Sequence, residues 1–303
     1  MESSEGGRIV VSNASKLNRL RPVDYVIMIF IGIASLFCLL PMVHILALSF
    51  SSNGAIMAGK VTLWPVGFNL DAYKAVFQHA AMVRSLGFTI VLVVLFTAIA
   101  MFMTVIAAYP LTKHKLRGRN FFLLMIVFTM FFSGGIIPDY LLMRGLKLLD
   151  TMWVLILPGA ISAFYLIILK TFFSSIPVEL EESARMDGAS HFRILWNVYL
   201  PLSLPALATL SLFYAVGRWN GFQDALIYIS SSHLYPIQLK LYELVISGQV
   251  SDMAIMEAQN RGAPVPESLK AASIMFGTVP ILLVYPWLQR YFISGVMLGA
   301  VKG

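Results

Sequence analysis

Six stretches of about 20 apolar residues frame what this chain can become, because a helix rising 1.5 Å per residue needs that length to cross a ~30 Å hydrocarbon layer. They fall at about 25–49, 86–109, 120–143, 152–173, 201–225 and 269–290. Lipid offers no partner to a free N–H or C=O, so each crossing segment must satisfy its own backbone, and all six are expected as helices. The expected class is all-α and polytopic: one transmembrane domain over 22–294, with tails at 1–21 and 295–303. Composition agrees. The chain is 58% hydrophobic and 12% charged over 303 residues, about half the charged content of ordinary soluble domains. No internal repeat or low-complexity segment divides it.

The first run invites comparison with a secretory leader, since Ala47-Leu48-Ser49 has a cleavage-like look. Tyr25 to Leu48 is far longer than the ~7–15 residues of a signal core, so it reads as a retained span. Cys38 is the single cysteine, and no disulfide can form within the chain. The net charge of +7 is scattered between apolar spans, which fits membrane orientation and not nucleic acid. Lys113, Lys115, Arg117 and Arg119 crowd one short loop, and Arg8, Lys16, Arg19 and Arg21 crowd the N-terminal tail. Basic residues near span ends mark the cytoplasmic face, so both termini are expected in the cytoplasm. Two long loops, Ser51 to Ser85 and Ser230 to Glu267, then lie outside. They either dock an external partner or simply tether spans.

The 176–201 loop is more specific. Pro177 suits a first helical turn, and Glu179, Glu181 and Glu182 follow at the positive helix end. Asp187-Gly188 is a stop, and Ser190 is placed to cap a second helix running to about Val198, with Pro201 opening span five. Leu180, Met186, Phe192 and Trp196 are left to pack on something. Two stiff arms with mixed charge make a lever that a partner grips, where a plain connection would be shorter.

The spacing Glu182-Ser183-Ala184, then Gly188, then Val198-Tyr199-Leu200-Pro201 resembles the "EAA" signature of permease subunits of bacterial ATP-binding-cassette importers, with Ser183 and Val198 as mild departures. The resemblance implies a type I importer permease fold in the bacterial plasma membrane. It makes Glu181, Glu182, Ser183, Ala184, Asp187, Gly188, Leu200 and Pro201 the ATPase-coupling residues. By the same resemblance, Glu182 pairs with a basic residue of the ATPase and Gly188 supplies the turn. Trp64-Pro65, Gly67-Phe68, Leu70 and Ala72-Tyr73 look like the first outer loop of carbohydrate-type permeases. Phe132 to Pro138, Leu157 to Ala160 and Phe213 to Asn220 look like the oligosaccharide and polysaccharide branch, which includes the smaller alginate-importer permease. Gly295 to Gly303 resembles the tail that reaches between ATPase subunits in the maltose importer. The implied partners are a second, non-identical permease, two ATPase subunits and an extracytoplasmic binding protein. ATP and magnesium are expected on the ATPases, so this chain carries no cofactor and is no enzyme.

For the sugar path the candidates are Tyr214, Arg218, Trp219, Asn220, Gln223 and Asp224. Rings stack on sugar faces, amides bond hydroxyls, and a guanidinium fork suits a uronate carboxylate. Arg218 either lines that path or snorkels to the interface. Gly134, Gly135 and Pro138, with Asp139 behind them, either pack closely or unwind span three. His44 and Tyr165 are weaker candidates.

Other motifs carry nothing. Gly54 to Lys60 imitates a phosphate-binding loop, but Val61 stands where Ser or Thr must hold magnesium. Asn13-Ala14-Ser15 falls in a tail expected to be cytoplasmic. No His, Cys or Asp spacing suits a metal, and no nucleophile–base motif is evident. Three rivals remain: the same permease class with a non-sugar cargo; an ion-driven secondary transporter, for which inverted repeats and paired broken helices would speak, neither being evident in the sequence; and a membrane-embedded enzyme, for which a catalytic constellation is missing.

Overall fold

The structure, a computed structural model, describes residues 22–246 and 266–300. The expected tail at 1–21, residues 247–265 of the second long loop, and 301–303 lie outside the described residues. Among the described residues the regular structure is helical. The helices are α1 (Pro22–Ser49), a short turn at Asn53–Met57, α2 (Asp71–Gln78), α3 (Ala80–Ala108), α4 (Arg119–Phe131), α5 (Ile136–Gly145), α6 (Ala163–Ser174), α7 (Val178–Met186), α8 (His191–Leu202), α9 (Leu204–Asn220), α10 (Gln223–Tyr228), α11 (Ile237–Ile246) and α12 (Pro266–Ala300).

Three spans are single long helices: α1, α3 with its 3₁₀ extension to Thr112, and α12. The other three are broken, span three at the Gly-Gly-Pro stretch noted in the sequence. Span three bends by 116° between α4 and α5. Pro138 lacks an N–H, and its ring would clash with the Gly134 carbonyl in an unbroken helix. Gly135 absorbs the turn at φ +88°. Unwinding, and not close packing alone, is therefore the role of this Gly-Gly-Pro stretch. Span four opens with 3₁₀ turns over Met152–Gly159 and bends by 49° into α6. Span five was expected over 201–225; α9 covers Leu204–Asn220, after an 83° bend from α8. Pro205 explains that boundary, because it cannot continue a helix whose i−4 carbonyl belongs to Pro201. Pro201 thus ends the elbow, and Pro205 opens the span. The last helix continues through the segment expected as a tail as far as Ala300.

The core is stacked in three layers along α3. Met82 packs with Ala72, Val76, Trp219, Ile237, Leu269 and Phe276. Leu92, Phe96 and Ala100 pack with Val154, Ile156, Tyr214 and Ile229. Ala108 packs with Phe173, Ile194, Leu195, Tyr199 and Leu210. Trp219, Tyr214 and Leu210 meet the layers in reverse order, so α9 runs antiparallel to α3. The α7–α8 elbow sits at the third layer, the end that also carries the Lys113–Arg119 cluster. At the middle layer, Asp150 (φ +57°) accepts hydrogen bonds from the Ser230 and Ser231 N–H groups and the Ser231 hydroxyl, and its own N–H donates to the Tyr228 carbonyl. This clasp ties the span three–four turn to the end of α10. The Ser231 hydroxyl and backbone bonds hold the Asp150 carboxyl below its ordinary range. Large apolar side chains of α1 and α4 face outward, as a lipid or partner environment requires.

Candidate functional site

The elbow follows from its turn chemistry. The Gly188 N–H donates to the Arg185 carbonyl at 2.9 Å, and the Ala189 N–H donates to the Ala184 carbonyl at 3.0 Å. Those are the two bonds of a Schellman turn, and Gly188 holds it at φ +76°. Ser190 then caps α8 by accepting from the Arg193 N–H. A π turn at Leu195–Tyr199 widens α8 and carries Tyr199. Leu180, Met186, Phe192 and Trp196 are all exposed, Met186 at 89%. Glu182, Ser183, Asp187 and Gly188 are exposed as well, while Ala184 is half-buried.

Glu181 differs. It is 7% exposed, and its carboxylate is filled from inside the chain. One oxygen accepts from Lys113 Nζ and from the Tyr199 hydroxyl at 2.7 Å. The other accepts from Arg185 at 2.6 Å. Lys113 Nζ also lies over the rings of Tyr109 and Tyr199, at 4.2 and 4.5 Å. Glu181, expected among the ATPase-coupling residues, faces inward. Burial works to raise its carboxyl, but the Lys113 and Tyr199 hydrogen bonds and the charges of Lys113 and Arg185 outweigh it and hold the group below its ordinary 4.5. Burial pushes the Lys113 ammonium down, and Glu181 offsets this only in part.

A second feature is a cavity of about 640 Å³ where α5, α6 and the end of α9 converge. Tyr214, Arg218, Asn220, Gln223 and Asp224 line it, as their sequence positions suggested. Trp219 does not. It is 6% exposed in the core, with its indole N–H donating to the Gly277 carbonyl at 3.3 Å. Successive helical residues point 100° apart, and that step turns Trp219 from the cavity toward Gly277 of the last helix.

Arg218 is 8% exposed and does not snorkel. Its fork binds Asp224 through both carboxylate oxygens, at 2.5 and 2.8 Å, and also donates to the Leu155 carbonyl at 2.9 Å. The guanidinium lies 5.7 Å from the Phe96 ring centre. Gly221 permits this: a Cβ there would stand 2.8 Å from Arg218 Nη2. Tyr214 spends its hydroxyl on Thr104 and on the Ser162 N–H. Asn220 and Gln223 are exposed at the cavity. Tyr165, a weaker candidate in the sequence, and Asp139, noted behind the Gly-Gly-Pro stretch, join the lining, and Phe96, Phe222 and Tyr228 join it unannounced. His44 meets the Thr62 carbonyl at 2.6 Å, away from the cavity.

Residues 116–298 match the model of the binding-protein-dependent transport system inner membrane component family. The chain belongs to this family. The permease is 45% identical over 94% of its length to YtcP of Bacillus subtilis, a polygalacturonan/rhamnogalacturonan transport system permease protein covered over 99% of its own length. It is 43% identical to LplC of the same organism, over 93% of this chain and 96% of that one. It superposes with a TM-score of 0.85 and 34% identity on a chain from the crystal structure of a bacterial ABC transporter that imports the acidic polysaccharide alginate, covering 94% of this chain and all of that one. The permease is thus an all-helical inner-membrane transport subunit and not an enzyme.

The permease's elbow should be acid-sensitive in a defined direction. A carboxyl held low stabilises the fold fully above its ordinary value and loses that contribution as pH falls through its lowered one. Between about pH 6 and pH 3, melting temperature should fall further in the wild type than in Glu181→Gln, whose glutamine has no such charge to lose. Equal falls would mean that Glu181 does not sense the Lys113 and Arg185 charges.

Proposed function

We propose that this permease imports an oligosaccharide released from an acidic polysaccharide, driven by partner ATPases that grip the α7–α8 elbow. The observation that carries this is the elbow itself: a fixed turn at Gly188, an internal lock at Glu181, and an outward face of Glu182, Met186, Phe192 and Trp196. The Lys113–Arg119 cluster beside it supports a cytoplasmic location for that end, and with it for both termini. A second, non-identical permease completes the pore. Two ATPases supply ATP and magnesium chemistry below, and an extracytoplasmic binding protein delivers sugar above. ATP-driven ATPase closure moves the elbow, and the spans rock from inward-open to outward-open.

The cargo class rests on similarity to YtcP and to the alginate importer, and on the cavity. Its exposed amides, Asn220 and Gln223, suit sugar hydroxyls, and its rings suit sugar faces. Arg218 is not offered bare. A uronate carboxylate gains the fork only by displacing Asp224. Loss of both amides in Asn220→Ala/Gln223→Ala should raise the KM for uptake of uronate oligosaccharides about 10-fold, the worth of one or two hydrogen bonds. Unchanged KM and kcat in proteoliposomes holding the complete importer would remove this cavity from the path.

A further inference from the structure

The first arm of the elbow is attached in an unusual way. An amphipathic helix ordinarily docks through an apolar stripe. Within α7, the buried residue is Glu181, while Val178, Leu180 and Met186 are exposed. Apart from small Ala184, which packs on the third layer, the arm is therefore held to the bundle by a charge. Its partner, Lys113, follows directly on the second span, whose helix and 3₁₀ extension run over Ala80–Thr112. Tyr199 closes the triangle from α8: its hydroxyl donates to Glu181, and Lys113 Nζ donates to that hydroxyl at 3.1 Å.

The elbow's covalent route leads elsewhere. Through α8 and the 83° bend before Leu204 it reaches span five. Backward, residues 175–177 join α7 to span four; movement of α7 reaches span five only through that bend, where the direction of force changes sharply. The second and fifth spans both line the cavity, where Phe96 of one meets Arg218 of the other at 5.7 Å.

We propose that Lys113 is a positioning residue for coupling: it binds α7 to the end of the second span, so that one pull on the elbow moves both cavity-lining spans together. The proposal rests on the elbow being the ATPase's handle. Lys113–Glu181 stays closed throughout the cycle, and load divides between the lock and the bend.

The test uses the whole importer in proteoliposomes, with its ATPases and binding protein. Lys113→Met removes the charge, Lys113→Arg keeps it, and Glu182→Lys alters the exposed handle without touching the lock. Lys113→Met should assemble normally and lower binding-protein-stimulated ATPase activity and uptake by about 5-fold or more, the lower edge of ordinary coupling between sites. Lys113→Arg should restore most of both. In a Cys38→Ser background, spin labels at Met186 and Lys115 should give one distance in the apo and ATP-bound states of the otherwise wild-type importer. With Lys113→Met that distance should spread on ATP binding. Normal stimulation by Lys113→Met, while Glu182→Lys uncouples, would overturn the lock and leave the handle standing. A wild-type distance that changes on ATP binding would also overturn the lock. Normal coupling in Glu182→Lys would instead strike the handle on which the lock depends.

Discussion

An importer carrying Gly188→Val is expected to assemble, bind its loaded binding protein, and lose most ATP-driven uptake. Gly188 sits at φ +76°, and a Cβ there would meet nothing within 4 Å. The damage is therefore in the backbone and not in a clash. A left-handed conformation costs an L-residue about 1–2 kcal/mol, and more when the side chain is β-branched. The Schellman turn holds through two hydrogen bonds, each worth about 1 kcal/mol net. Valine thus brings the turn close to opening, and the angle between the arms ceases to be fixed. Gly188→Asn is the control, because asparagine visits this conformation readily. Asparagine should retain most uptake and stimulated ATPase activity where valine loses them. Equal loss in both would point to the missing glycine surface and away from the turn angle.

The second large effect is an asymmetry within one ion pair. Asp224→Ala leaves a guanidinium buried with its main partner gone, whereas Arg218→Ala leaves a carboxylate with room to hydrate. Side-chain exposures of 7% for Arg218 and 32% for Asp224 set this order. Breaking a fully buried pair costs about 3–5 kcal/mol. Because Asp224 is partly wet, about 2–4 kcal/mol is expected for Asp224→Ala, and less for Arg218→Ala. Thermal unfolding of the purified complex should therefore rank Asp224→Ala below Arg218→Ala. Arg218→Met/Asp224→Leu should recover much of the loss, since it leaves no unpaired charge. The reverse ranking would mean that Arg218 reaches water. Gly221→Ala should fall between the two, because its methyl displaces Arg218 Nη2 without removing either charge.

The six crossings were legible because apolar length is a direct physical requirement of the bilayer. Their breaks were less so, since hydropathy carries no information about chain direction. Gly134-Gly135 and Pro138 were the visible signal for the 116° bend. Pro201 and Pro205 look alike in sequence, and a proline is tolerated in the first turn of either helix. Packing of Tyr199 and Leu195 on span two decides that α8 lasts until Leu202. The turn at Gly188 and the cap at Ser190 were local chemistry and readable as such. The difference between Glu181 and Glu182 was not. They are neighbouring carboxylates on one short helix, and the one that turns inward is chosen by a lysine 68 residues away. Lys113 looked like one more orienting charge. Trp219 was drawn into the cavity by its neighbours in sequence, although a helix turns neighbours apart.

The most direct measurement is site-specific photo-cross-linking from Met186, the most exposed large apolar residue of the elbow, in the intact importer. The account predicts a cross-link to the ATPase subunit whose yield changes when ATP binds. A cross-link to the extracytoplasmic binding protein, or none to the ATPase in any nucleotide state, would contradict it.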